Sequence, residues 1–201
     1  MNDKAWLEKR FNEYRRCLEF DDTAALMIQF KEMILDARDK CKTMYFAGNG
    51  ASTTIASHAA LDFTNQLAIR CHAMNDPNFI TCFSNDFGYE DFMERTVKLY
   101  ADKEDMVVLI SSSGRSQNAV NAAIRAKLMG CKVVTFTGFD KNNPLKKLGD
   151  INFWLNNRDY NVVESTHMTW LVTVCDLIAS YEKDKIGTHG RNLSCAPANA
   201  E

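Results

Sequence analysis

From Met106 to Asn118 the chain reads MVVLISSSGRSQN, an apolar run that passes without a spacer into a serine-rich turn and then into helix-forming residues. Val107, Val108, Leu109 and Ile110 give the short, continuous, β-branched-rich pattern of a strand buried on both faces of a parallel sheet. The turn that follows has the chemistry of an anion site. Ser111, Ser113 and Ser116 offer compact hydroxyl donors, with Ser112 in the same turn, and Gly114 lets the backbone pass close to a ligand. The helix behind them points unpaired N–H groups and its positive dipole end at the same place. This segment alone leaves a second reading open, in which Ser116 caps the helix starting near Gln117 and the other serines fill a loop.

A second segment repeats the order strand, polar glycine turn, helix. Thr43–Ala47 is apolar, Gly48, Asn49, Gly50, Ala51 and Ser52 make the turn, and a helical pattern runs from about Thr53 to Leu67. The turn lacks the third glycine of a dinucleotide fingerprint and the Gly-Lys-Ser/Thr of a P-loop, so neither nucleotide motif is met. Two such turns at the carboxyl ends of neighbouring parallel strands converge on one ligand.

The rest of the chain fits the same architecture. Apolar runs at Thr43–Ala47, Phe79–Phe83, Met106–Ile110, Lys132–Thr137 and Ile151–Leu155 read as strands, with helical patterns between most of them. That alternation predicts an α/β fold: a doubly wound, three-layer sheet of about five parallel strands. Before it stand two helices. One carries Trp6, Leu7, Phe11, Tyr14 and Leu18 as a stripe; the other carries Leu26, Met27, Phe30, Met33 and Ile34, with Asp22 placed to cap it. These stripes need a partner surface, either the same domain or another copy of the chain. The last helix runs from about Asn161 to Glu182, and residues 186–201 read as a flexible tail.

Composition narrows the function. A net charge of −2 gives no basic footprint for nucleic acid. Seven cysteines, scattered through apolar segments with no C-x-x-C, suggest reduced thiols. With no signal peptide and no membrane-spanning stretch, the expected location is the cytoplasm.

GNGAS, the SNDFGYE run from Ser84 to Glu90, SSSGRS, and VVTFTG from Val133 to Gly138 follow the order and spacing of the sugar isomerase (SIS) domain family. The chain resembles its phosphoheptose isomerase branch over about Thr43 to Glu182. The resemblance implies a flavodoxin-like SIS domain over residues 1–185, with residues 1–41 as oligomerisation helices and 42–185 as the α/β core. It implies an aldose–ketose isomerase that converts a ketose phosphate, sedoheptulose 7-phosphate, to a heptose phosphate for surface polysaccharide. A homotetramer with sites between subunits goes with it. Phosphate and sugar would be held by Asn49, Gly50, Ser52, Asn85, Asp86, Ser111, Ser112, Ser113 and Ser116. The branch also contains a non-catalytic relative that binds the bacterial replication initiator, so a phosphosugar sensor or scaffold is the alternative.

Isomerisation through an enediolate needs a base, a proton donor and a phosphate anchor. His58 and Asp62 are four apart on one helix, and Glu164 and His167 three apart on another, so each pair shares a face. Each reads as a surface pair or, if the helices meet, as part of a divalent metal site for zinc. By resemblance, His58 matches the family histidine, Asp62 the glutamate base, and Glu164 a glutamine. Asp62, Glu164 and His167 are the expected catalytic groups, with His167 serving only in a rearranged site because its azimuth differs from that of the family's second catalytic histidine. That histidine falls at Val172, and valine transfers no proton.

Overall fold

The computed structural model describes residues 2–18 and 22–183. The expected tail, 186–201, lies outside the described residues. Helices α1 (Asp3–Leu18) and α2 (Thr23–Asp39) precede a sheet of β1 (Thr43–Gly48), β2 (Arg70–Ala73), β3 (Met106–Ser111), β4 (Lys132–Thr137) and β5 (Ile151–Trp154). The sheet order is β2-β1-β3-β4-β5, and every pair is parallel. The connecting helices are α3 (Ala51–Leu67), α4 (Pro77–Phe87), α5 (Phe92–Tyr100) and α6 (Gln117–Leu128), and α7 (Tyr160–Lys183) closes the chain.

Strand periodicity divides the core into two layers. Met44, Phe46, Met106, Val108, Ile110 and Phe136 face α2, α3 and α7, whereas Tyr45, Ala47, Val107, Leu109 and Val133 face α5 and α6. Alanines at 119, 122, 123 and 126, all fully buried, let α6 lie close against the central strands. Every residue of β3 is buried, as its unbroken apolar run requires.

One expected strand is a helix. Phe79–Phe83 lies within α4, where the Asp76 carboxylate accepts from Asn78 N at 2.8 Å and Pro77 occupies the first turn. Phe79 then stacks on Phe83, and Phe87 meets Phe83 at a tilt, at helical spacing. The fifth strand is instead β2, a four-residue edge strand whose alternating exposed and half-buried residues give no apolar run. Asp22 stands at the N-cap of α2 without a side-chain capping bond.

The two N-terminal helices also divide. The α2 stripe is absorbed by the core, with Phe30 and Ile34 fully buried. In α1 only Cys17 is buried, and Trp6, Leu7, Phe11 and Leu18 stay exposed. Polar contacts hold α1 to the domain: Arg10 pairs with Asp159 at 2.9 Å and Asn157 donates to Glu13 at 3.0 Å. Cys17, Cys71, Cys82 and Cys131 are free thiols. No helix among the described residues is long and apolar enough to cross a membrane.

Candidate active site

The chain leaves β1 for α3 on one face of the sheet and leaves β3 for α6 on the other. Because β1 and β3 are adjacent, with Gly48 level with Ile110, the two connections part and open a crevice at their carboxyl ends. This is the topological switch point at which open α/β sheets bind ligands.

Each wall is a glycine turn leading into a helix. In the first, Gly50 takes a left-handed φ of 56°, and Ser52 N donates to Asn49 O at 3.0 Å. A Cβ on Gly48 would lie 2.6 Å from that of Ser52, so glycine lets α3 seat directly on the strand end. In the second, Gly114 has φ 63° and its N–H donates to Ser111 O at 2.9 Å. The Ser111 and Ser116 hydroxyls lie 3.2 Å apart, and Ser113 Oγ accepts from Arg115 N at 3.2 Å. Ser116 occupies the N-cap of α6 but makes no side-chain capping bond. Its hydroxyl is turned toward Ser111, so the reading of this serine as a mere cap fails.

A reciprocal amide pair ties the walls together. Asn49 Nδ2 donates to Asn118 Oδ1 at 2.9 Å, and Asn118 Nδ2 donates to Asn49 Oδ1 at 3.1 Å. Tyr89 reaches over from the turn between α4 and α5 and donates its hydroxyl to Asn49 Oδ1 at 2.9 Å. Sequence reasoning missed Asn118 and Tyr89. The available signals were the place of Asn118 in the first turn of α6 and of Tyr89 inside the SNDFGYE run. Asn85 and Asp86 sit on the exposed last turn of α4, where Asn85 donates to Asp86 at 2.9 Å and Cys82 contacts Asp86.

Arg115 turns away from the serines to pair with Asp140 at 2.7 Å. The Asn142 backbone N–H and then this guanidinium hold the Asp140 carboxyl below its usual range.

The acid–base groups occupy different environments. Glu164, on α7, is half-buried; Ser112 Oγ reaches its Oε1 at 3.5 Å, a long contact that places this carboxyl beside the serine turn. Burial pushes its carboxyl above the usual range. On α3, His58 Nε2 lies 3.0 Å from Asp62 Oδ2, with the histidine half-exposed and the aspartate more sheltered. His167 is elsewhere: it is fully buried, and its Nε2 lies 3.1 Å from the Thr137 carbonyl oxygen. Val172 is half-buried on the same helix.

The expected zinc set of His58, Asp62, Glu164 and His167 is therefore not assembled. Among the described residues no three His, Cys, Asp or Glu side chains are grouped to hold a metal ion. His167 fails for a physical reason, because its helical azimuth directs it into the aromatic core between Phe136 and Trp170. It is not a ligand or an accessible proton donor there.

A doubly wound domain with paired glycine turns at its switch point is a fold for binding a phosphorylated small molecule. The chain belongs to the SIS domain family, whose model matches residues 12–138. It is 31% identical over 137 residues to the phosphoheptose isomerase of Aliarcobacter butzleri, covering 65% of this chain and 72% of the relative. Its structure is similar to that of a phosphoheptose isomerase from Neisseria gonorrhoeae, with TM-score 0.79, 25% identity, and coverage of 88% of this chain and 98% of the other. A phosphoheptose isomerase from Francisella tularensis shares the fold at TM-score 0.80 and 20% identity, with 90% and 100% coverage.

Proposed function

We infer that the protein is an aldose–ketose isomerase of phosphorylated sugars, converting sedoheptulose 7-phosphate to a heptose 7-phosphate. The observation that carries this is the placement of a half-buried carboxyl, Glu164, against a serine turn at the switch-point crevice. The serine turn anchors phosphate, and the carboxyl beside it supplies a proton.

In this reading the hydroxyls of Ser111, Ser113 and Ser116 and the N-terminus of α6 hold the phosphate, and the Asn49–Asn118 pair fixes their distance from Ser52 and α3. Asp62 takes the proton from the C1 carbon of the ketose, and His58 orients the carboxylate. Glu164, protonated because burial raises its pKa, gives a proton to the O2 oxygen as the enediol forms. Returning a proton to C2 and removing one from O1 completes the aldose. Aspartate at 62 is one methylene shorter than the glutamate of the family, and Glu164 takes the acid role that neither Val172 nor the buried His167 can fill. No step runs through zinc, since His167 does not fit the ligand set.

The exposed stripe of α1 supports a further part of the reading, a homotetramer with sites between subunits. The sensor or scaffold alternative gains nothing from the relatives, which are named as isomerases.

The test is product formation by the purified protein from a panel of ketose phosphates led by sedoheptulose 7-phosphate, after chelation and again with zinc restored. Turnover in either condition supports the isomerase; binding of sugar phosphate without turnover in both overturns it in favour of a binding protein.

A further inference from the structure

Behind the serine turn, on the side away from the crevice, lies a buried amide that the chemistry above does not use. Asn143, in the loop after β4, is fully buried. Its Nδ2 donates to the Asp140 carbonyl at 2.8 Å and the Thr137 hydroxyl at 3.2 Å, with the Gly138 carbonyl at 3.5 Å. Its Oδ1 accepts from Lys146 N at 2.8 Å. Both ends of the amide are matched, which fixes its orientation, since the backbone carbonyls can only accept and the Lys146 N–H can only donate.

The same side chain lies directly under Gly114. A Cβ on Gly114 would collide with Asn143 Oδ1 and Cγ. Backbone bonds flank this contact: Leu145 N donates to Gly114 O at 3.1 Å, and Gly138 N donates to Ser112 O at 2.8 Å. The 138–146 loop is therefore the floor of the serine turn, and Asn143 both ties that loop together and touches Gly114.

We propose that Asn143 is a positioning residue for the phosphate cradle: by clamping the 138–146 loop beneath Gly114 it sets where the hydroxyls of Ser111, Ser113 and Ser116 point. The proposal rests on the reading that this cradle holds the phosphate of a sugar phosphate. It also accounts for the left-handed glycine at 114, which gives both the turn and the room for the amide.

The experiment compares wild type with Asn143→Ala, Asn143→Asp, Gly114→Ala and the Gly114→Ala/Asn143→Ala pair. It reads steady-state kinetics with sedoheptulose 7-phosphate, amide hydrogen exchange over residues 111–116, and thermal midpoints. Loss of the clamp should raise KM roughly tenfold, more than it lowers kcat, and speed exchange in the 111–116 segment. Asn143→Asp, equal in volume but without the N–H donors, should do the same. Gly114→Ala should raise KM by a smaller factor in the Asn143→Ala background than alone, because the collision is gone. The proposal is overturned if the Asn143 variants lose thermal stability while KM and 111–116 exchange stay at wild-type values, or if the two substitutions act independently. Should the wild type neither turn over nor bind sugar phosphate, the isomerase reading fails, while the exchange data and the double-mutant cycle in thermal midpoint still decide whether Asn143 holds the loop.

Discussion

His167 Nε2 donates to the carbonyl oxygen of Thr137 across 3.1 Å, between the rings of Phe136 and Trp170. A carbonyl only accepts, so Nε2 carries a proton, and Nδ1 is buried with no hydrogen-bond partner among the described residues. Burial favours the neutral ring and lowers its pKa to about 4 from the usual 6.5, against the opposing hydrogen bond to Thr137.

Stability should follow that shift. The folded state resists protonation that the unfolded chain accepts, so the contribution is complete above pH 6.5 and is lost as pH falls through about 4. The whole effect is roughly 3 kcal/mol. Denaturant midpoints measured between pH 7 and pH 4 should fall steeply in the wild type and less steeply in His167→Gln. Equal slopes would mean that the histidine takes up a proton as readily in the fold as in the unfolded chain.

Glu164 supplies a second pH test through activity. As the proton donor it must be neutral, and burial already raises its pKa. Turnover should therefore decline on the basic side of a pH profile, and Glu164→Gln should lose about 10²-fold in kcat together with that basic limb. A profile that keeps its basic limb in Glu164→Gln would assign the acid to another group.

Asp62→Asn preserves shape and the contact with His58 but removes the base. The loss in kcat should be about 10²–10⁴-fold, with KM changed little. Isothermal titration with the sugar phosphate should show binding retained. Unchanged kcat would remove Asp62 from the chemistry.

In the cradle, Ser111→Ala and Ser116→Ala each delete one hydroxyl of a pair 3.2 Å apart. Each should raise KM about tenfold, since hydrogen bonds to a charged group contribute about 1.5–3 kcal/mol. The double variant should show less than the product of the two, because the hydroxyls share one anion. Kinetics on the four proteins would measure this, and simple multiplication of the two effects would mean that they do not act on the same group.

What the sequence disclosed follows from which signals are local. β3 and its serine turn were legible because a strand buried on both faces must be continuously apolar and the turn residues are adjacent. β2 was not, because an edge strand of Arg70–Ala73 needs no apolar run, and Phe79 and Phe83, four apart, share a face in a strand as well as in the helix that Asp76 caps and Pro77 begins. The site divides the same way. Candidates such as Ser111 and Ser116 carry their role in neighbouring residues, whereas Asn143 acquires its place only by folding under Gly114. His167 shows the converse limit: its three-residue spacing from Glu164 suggested a shared face, but the azimuthal difference suffices to leave one half-buried near the crevice and bury the other.

The apolar stripe of α1 sets a last test, of assembly. Trp6, Leu7, Phe11 and Leu18 are 39–56% exposed, while Arg10, Glu13, Tyr14 and Cys17 contact the rest of the domain. A helix that packs on its own domain through Tyr14, Cys17 and polar groups while Trp6, Leu7, Phe11 and Leu18 turn outward has a surface suited to another copy of the chain. Phe11→Glu should leave the thermal midpoint of the domain within a few degrees but convert a tetramer to smaller species in light scattering coupled to size exclusion. If the sites lie between subunits, kcat/KM should fall with the tetramer fraction and recover as protein concentration is raised. A Phe11→Glu protein that keeps both its mass and its activity would locate the interface elsewhere and leave α1 free.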